Sequence, residues 1–585
     1  MTRRTGMDAH AGAHAARIGA VGVCLGGPAD AIAAMSAPIA IPTSQSAIQL
    51  VGPDKLEVNP AKPVHRPGPT QILGKVECVG LCFSDMKLLH QFDGHVRKSP
   101  VLKHLSAEVL TEIPSYVPGD KPTVPGHEVV IRVVETGAKV TSVKPGGRYL
   151  VQADWRDLRT ASSNGAFGYN FEGGLQEYVL LDERTTVAAD GTSYLVPVPD
   201  ERSASQLALV EPWACVEEAF IHRERQTLKP GGTVLLVTSP GAKPSFHGMD
   251  FKRSAKLLCL GSCTPPEGFT CVRPEDVADK SVDDLLFAGA DAGLLEQVVA
   301  KVANEGLVLV AQCEQRFLRP VNLPLGRVHY GNVRFAGDTG ANFREALRII
   351  PSSGEVRPHD HVHVIGAAGP MGSMAVIRLL FMDTPGLSVE GIDRNKIRLQ
   401  SFVPKAEALA KLRGVPLRMV DIHKDHREEQ ASYHMVMVPV PAVVAECVRE
   451  SRRGGIVNIF AGIPADVSGP IDLDMYCGKH LYFIGTSGST MEDMEVVLNK
   501  VLEDRLDTNL SVGAVSGMGG AITGLEAVKG GKIAGKVLVY PELGDFPMTE
   551  LPDLAAKYPT VGAKLSNGNW TKDAELELLK VAGRK

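Results

Sequence analysis

The sequence predicts an α/β chain: a β-rich first half, a parallel strand–helix sheet after it, and an additional, degenerate copy of that sheet inserted between them. Three observations predict this. From Ile48 to about Val198 the chain reads as short strands broken by Gly and Pro, for example Val129 to Val134, Tyr149 to Gln152 and Tyr178 to Leu181. After Glu211 a helical pattern ends at Lys229, Pro230 and Gly231, and strands then alternate with helices to about residue 505, the pattern of a parallel sheet with right-handed crossovers. Within that region two stretches about 148 residues apart carry the same order of elements.

The first 45 residues, rich in Ala, Gly, Ser and Pro, show no periodicity that would bury a face and read as a flexible extension. Arg3, Arg4 and Arg17 before the short apolar run Ile18 to Leu25 loosely imitate a signal peptide, and Met35 offers an alternative start. In the first copy of the repeat, Asp284 to Ala288 reads as a strand, Leu294 to Ala303 as a helix and Gly306 to Ala311 as a strand. In the second, Tyr433 to Val438, Val443 to Ser451 and Gly455 to Phe460 take those parts. Leu325, Phe335, Gly337, Thr339 and Gly340 are matched by Leu473, Phe483, Gly485, Ser487 and Gly488. Chance similarity of two βαβ units explains the alternation but not this shared tail.

The front ends of the copies differ. The second opens with the strand His361 to Ile365 and the loop Gly366-Ala367-Ala368-Gly369-Pro370-Met371-Gly372, then the helical run Ser373 to Phe381. Gly366, Gly369 and Gly372 permit a tight turn and a close backbone approach, and the helix can present free N–H groups to a pyrophosphate. Ala368 stands where the common Gly-x-Gly-x-x-Gly has its middle glycine. Asp393, at the end of the next strand Leu387 to Ile392, is placed to bond ribose hydroxyls, with a surface aspartate as the alternative. Asp393 favours NAD, whereas Arg394, Lys396 and Arg398 can accept the extra phosphate of NADP, so both cofactors stay open. The first copy has Ser239-Pro240-Gly241-Ala242-Lys243-Pro244 after its opening strand Thr233 to Val237, with one glycine and a proline where a helix should start. It is expected to bind dinucleotide poorly and to serve as a packing or dimer-forming element.

Three motifs in the β-rich half carry metal-binding chemistry: Gly80-Leu81-Cys82-Phe83-Ser84-Asp85, Gly126-His127-Glu128 and Glu211-Pro212. A catalytic zinc takes three protein groups of thiolate, imidazole or carboxylate type and leaves one position open. Cys82, His127 and Glu211 or Glu128 supply that mix. Singly, each motif is equally well a buried thiol or a chance His-Glu pair.

Together these residues resemble the zinc-binding medium-chain dehydrogenase/reductase family, most closely its sorbitol and sugar-phosphate dehydrogenase branch. The likeness runs through most of the chain after residue 46 and includes the closing segment Gly530-Gly531-Lys532-Ile533-Ala534-Gly535-Lys536-Val537. The resemblance implies a GroES-like catalytic domain over 46–230, completed by about 511–585, and a Rossmann NAD(P)-binding domain over 355–510. The degenerate Rossmann-like copy would fill 231–354. It also implies one catalytic Zn2+ at Cys82, His127, Glu128 and Glu211, Ser84 as first proton relay, and Asp85 as the acceptor that orients His127. The family's relay often ends in a histidine three places after the serine; here that place is Lys87, and proton exit would use Lys87, His90 or water. No cysteine lies between Ala153 and Gly174, where many alcohol dehydrogenases bind a structural zinc, so only the catalytic metal is expected. Cys259, Cys263 and Cys271 fit no strong zinc spacing and read as core or loop thiols. The segment Leu88 to Val124 carries His90, His95, Arg97, Lys98, Lys103 and His104, either a clamp for a substrate phosphate or carboxylate or a solvated loop. Trp155, Phe167, Tyr169 and Trp213 are candidates to line the pocket or to pack the core.

The bulk numbers exclude other classes. A net charge of -5, from 62 basic and 67 acidic residues, gives no pull toward nucleic acid or anionic membrane, and no apolar run is long enough to span a bilayer. Ten cysteines scattered over 585 residues suit a reducing cytoplasm. The expected partner is a polyol, sugar or sugar phosphate, and a symmetric homo-oligomer is the expected assembly. A dinucleotide-binding regulatory or scaffold protein, or an NAD-using epimerase or lyase, would fit the same cofactor motifs.

Overall fold

The strand Gln71–Gly80 organises the first half. It pairs antiparallel with Glu128–Thr136, Tyr178–Asp182 and Lys536–Val539 in an eight-stranded sheet. Val129, Val130 and Ile131, the β-branched run at the start of Glu128–Thr136, are wholly buried, which fixes that strand as central. Gly80 lies opposite both Glu128 and Leu538. One end of the sheet therefore gathers the end of one strand, the start of a second and, two residues from Leu538, Lys536. The computed structural model describes residues 40–261, 264–425 and 430–583. Chain contacts separate residues 1–41 from 42–585, and the unit described is the latter. The readings of residues 1–39 and of Cys263 lie outside the described residues. Strand Ser44–Gly52 begins just inside the expected extension.

A twelve-stranded sheet forms the rest. Its strands are β1 (Thr233–Thr238), β2 (Lys256–Leu260), β3 (Thr270–Cys271), β4 (Val282–Ala288), β5 (Val302–Ala311), β6 (Arg334–Asp338), β7 (His361–Ile365), β8 (Ser388–Asp393), β9 (Leu417–Asp421), β10 (Ala431–Val436), β11 (Ser451–Ile459) and β12 (Tyr482–Ile484). Their order across the sheet is 3-2-1-4-5-6-12-11-10-7-8-9. All pairs are parallel except β6 with β12. The parallel alternation is as expected, and apolar clusters cover both faces.

Boundaries moved where tertiary contacts outweigh local pattern. The helix that begins at Val210 ends at Ile221, not near Lys229. The following residues are held extended: the Glu224 N–H donates to Ser352, Arg225 pairs with Asp284 at 2.6 Å, and Arg334 pairs with Glu224 at 2.8 Å. The expected helix Leu294 to Ala303 stops at Val298, because the chain is already pairing as β5 from Val302. No helix occupies residues 239–255 between β1 and β2, as Pro240 and Pro244 predict. Cys259 and Cys271 face each other across β2 and β3 with sulfurs 2.7 Å apart. Among the described residues no helix is long and apolar enough to cross a membrane.

One buried ion network ties the helices Val210–Ile221, Pro370–Leu380 and Met491–Leu502 together. Glu217 pairs with Arg378 at 3.0 Å and with Lys500 at 2.6 Å, and Arg378 also reaches Glu355 at 2.8 Å and lies over the Phe220 ring. Burial works against the Glu217 carboxylate, but the Arg378 and Lys500 charges bring its pKa from 4.5 down to about 2. A depressed carboxyl stabilises the fold above its unfolded value, and that stability is lost as pH falls from about 4.5 toward 2. Glu217→Ala is expected to cost about 3 kcal/mol at neutral pH, because it leaves Arg378 short of a buried partner. Urea unfolding at pH 7 and pH 3.5 checks both statements: the loss should shrink at the lower pH.

Candidate metal centre and dinucleotide loop

Cys82 is the N-cap of the helix Phe83–Gln91. Asp85, three residues on, accepts the Cys82 N–H through Oδ2 at 3.1 Å and so closes the first turn. Its other oxygen lies 3.0 Å from His127 Nδ1. One fully buried carboxylate thus fixes both the cysteine and the imidazole. Nδ1 is thereby turned to Asp85 and Nε2 toward Cys82 and Ser84, so a neutral ring protonated at Nδ1 would offer its Nε2 lone pair to a cation. The Ser84 hydroxyl lies 3.0 Å from Cys82 Sγ and 3.1 Å from His127 Nε2.

The potential ligand atoms of Cys82, His127 and Glu128 all lie within 4.8 Å of one another. Glu128 is wholly buried and forms an ion pair with Lys536. Its Oε2 has no hydrogen-bond partner among the described residues, and a Cβ on Gly80 would come within 2.0 Å of that oxygen. Only glycine lets the carboxylate lie there. Glu211 stands outside this cluster. Burial pushes its pKa up to about 7, with Glu128 adding to the rise against the pull of His127. A thiol, an imidazole and a carboxylate oxygen without a hydrogen-bond partner make a donor set that suits Zn2+.

Around this cluster the aromatic candidates divide. Tyr169 packs against His127, ring centres 5.6 Å apart, and carries the Arg97 guanidinium 5.3 Å from its own centre. Trp155, Phe167 and Trp213 do not line the site: all three are buried in the core, with the Trp213 indole bonded to Ser511 and that of Trp155 to the Gln152 carbonyl. The basic segment also divides. Arg97 reaches the site beside Tyr169, and burial together with the Arg97 charge lowers the neighbouring His95 to about 4. Lys98 is a buried prop bonded to the carbonyls of Val117 and Lys121. His90 is exposed and pairs with Asp54 at 2.9 Å. Lys87 instead bonds the Tyr330 hydroxyl at 2.6 Å. Lys536 and Tyr330 could not have been found as site residues from local spacing. They are far along the chain from Glu128 and Lys87, and only the sheet register and the packing of the helix Leu325–Tyr330 bring them in.

The second candidate site is the loop after β7. Gly366 has φ +90, Gly369 caps the helix Pro370–Leu380, Pro370 is its first residue and Met371 follows. A Cβ on Gly372 would lie 2.1 Å from the Gly366 carbonyl oxygen. Asp393 is buried at the end of β8 and accepts the N–H groups of Ala368 at 2.9 Å, Arg394 at 2.8 Å and Asn395 at 2.9 Å. Arg398 adds a contact at 3.2 Å, while the Arg394 residue is exposed. Asp393 therefore braces the glycine loop as well as standing beside it.

Residues 68–191 match the alcohol dehydrogenase GroES-like domain. The resemblance to the zinc-binding medium-chain dehydrogenase/reductase family holds in the relatives. L-sorbose 1-phosphate reductase of Klebsiella pneumoniae is 26% identical over 245 residues, 38% of this chain and 56% of that protein. (R,R)-butanediol dehydrogenase of Bacillus subtilis (strain 168) is 31% identical over 172 residues, 26% of this chain and 40% of that protein. The chain thus spans about half or less of the length of these curated relatives. The crystal structure of 2R,3R-butanediol dehydrogenase from Bacillus subtilis aligns with a TM-score of 0.49 at 17% identity, covering 85% of this chain and 100% of that one.

Proposed function

We propose that the chain is an oxidoreductase that moves a hydride between NAD(P) and an alcohol or ketone carbon of a polyol, sugar or sugar phosphate, with one catalytic Zn2+. The convergence of Cys82, His127 and Glu128, with Asp85 behind the imidazole and Ser84 in front of it, carries this reading. Cys82, His127 and an acidic residue would hold the metal; Glu128 is in the cluster, and Glu211, buried near His127 and Glu128, is the second candidate carboxylate. The bound zinc would supply Lewis acidity that favours an alkoxide, and the dinucleotide would accept or return the hydride. Asp85 keeps the His127 lone pair aimed at the site. Ser84 takes the substrate's hydroxyl proton and passes it outward. Lys87, one turn further along the same helix, stands at the exit. Gly366, Gly369 and Gly372 would let the backbone approach a pyrophosphate at the helix N-terminus, with Pro370 and Met371 in its first turn, and Asp393 and Arg394 would hold the adenosine ribose.

Screening sugar alcohols and their phosphates with NAD and NADP at 340 nm tests the proposal. No net absorbance change with any of them, from protein shown to bind dinucleotide, would overturn it. Arg97 supports a substrate that carries an anionic group. Arg97→Ala is expected to raise KM about tenfold or more for phosphorylated substrates and less than about twofold for neutral polyols. Initial-rate measurements on a matched pair of substrates check this.

A further inference from the structure

We infer that residues 233–349 are a built-in partner subunit, a second copy of the dinucleotide-type half joined in cis by a two-fold interface. It fills the sheet edge that a separate copy of this chain would otherwise occupy, and it lends Tyr330 to the catalytic cleft. The catalytic part of this inference rests on the proposed oxidoreductase activity. The structural part does not.

The register carries it. The two halves have the same strand order, read outward from the joint between β6 and β12. An offset of about 148 positions carries Phe335 onto Phe483, and these two residues face each other across the antiparallel joint. A residue paired with its own equivalent marks a two-fold axis. The same holds in the short antiparallel pair of Val321–Leu323 with Gly469–Ile471. Asn322 faces its equivalent, Pro470, while Val321 faces Ile471 and Leu323 faces Gly469, each exchange mirrored by the other. Contacts repeat the symmetry: a Cβ on Gly337 would strike the Cys477 sulfur, and one on its equivalent Gly485 would meet the backbone of His329, the equivalent of Cys477. Self-complementary pairing of this kind is the signature of an isologous dimer. A chance meeting of two unrelated sheet edges would not place equivalents opposite equivalents in two separate strand pairs.

The exchange of function is one-way. Tyr330 bonds Lys87, and Tyr330 and Lys87 both crowd Gly462. The equivalent of Tyr330 in the second half is Gly478, where an added Cβ would meet nothing within 4 Å. The first half also lacks the glycine loop and the helix after β1. One half thus retains the cofactor machinery and the other has become its scaffold, with Tyr330 positioning the Lys87 ammonium at the proton exit.

The experiment uses the full chain. Asn322 and Pro470 are exposed and directly opposite. In the double variant Asn322→Cys with Pro470→Cys, oxidation should form a bridge within one chain, seen as a reducible mobility shift at single-chain mass, with neither single variant shifting. A bridged species of two-chain mass, or no bridge, overturns the built-in partner. For the catalytic arm, Tyr330→Phe should lower kcat about fivefold with KM changed less than about twofold; unchanged kcat overturns the positioning role. If the wild-type chain transfers no hydride, the proposed activity fails while the bridge result stands by itself.

Discussion

Cys82→Ser is expected to lower kcat/KM by about a thousandfold or more and to remove about one equivalent of bound zinc. The hydroxyl is a poorer partner for zinc than a thiolate, so affinity falls before any step of the reaction is considered. The structural cost should be small. Cys82 caps its helix through its backbone, whose N–H is held by Asp85, and the substitution leaves that bond in place. Metal analysis and thermal unfolding of the same preparation separate the two effects: zinc and activity should be lost together while the apo fold keeps its melting temperature. Asp85→Asn should fall between wild type and Cys82→Ser, weakening zinc affinity by about ten- to a hundredfold, because it removes the carboxylate that fixes the His127 tautomer without removing a ligand. Full turnover by a zinc-free Cys82→Ser protein would overturn the proposed chemistry.

Much of this centre was legible in the sequence because its parts are local. Cys82, Ser84 and Asp85 lie in one helical turn, and His127 and Glu128 are adjacent. Their convergence follows once Gly80 and Glu128 are placed in register. The glycine loop was legible for the same reason, since turn, helix start and Asp393 follow one another along the chain. What failed to show was fixed by distance. Lys536 meets Glu128 only through the antiparallel return of the C-terminal strand, and no spacing rule links residues so far apart. Trp155 and Trp213 stood near the motifs in sequence, yet burial drew both into the core, because large aromatic surface is worth more inside than at a wet cleft. The helix expected to run to Lys229 was truncated by partners on β4, β6 and the chain near Ser352, none of which a local pattern contains. The matching residues of the two stretches could be aligned from sequence, but the antiparallel joint that sets Phe335 opposite Phe483 is a property of register and could be seen only in three dimensions.

The dinucleotide loop permits a graded test, because its glycines are required to different degrees. At Gly369 the backbone has φ -74, which any residue adopts, and an added Cβ would lie 3.3 Å from the Gly366 carbonyl oxygen. Gly369→Ala asks only for a shift of a few tenths of an ångström. At Gly372 the added Cβ would lie 2.1 Å from that oxygen, 2.8 Å from its carbon and 3.0 Å from Ala367 Cα, all backbone atoms. No side-chain rotation relieves this contact. Either the turn opens or the helix Pro370–Leu380 moves away from β7, and in both cases the free N–H groups leave the position at which they would meet a pyrophosphate. Gly372→Ala is therefore expected to weaken NAD(H) or NADP(H) binding about a hundredfold, against less than about fivefold for Gly369→Ala. Titration calorimetry reads the two affinities, and circular dichroism establishes that both variants are folded. Zinc content should stay at the wild-type level in each, because Cys82, His127 and Glu128 lie at the first sheet, away from this loop. Equal binding by the two variants would mean that the dinucleotide does not rest on this helix N-terminus.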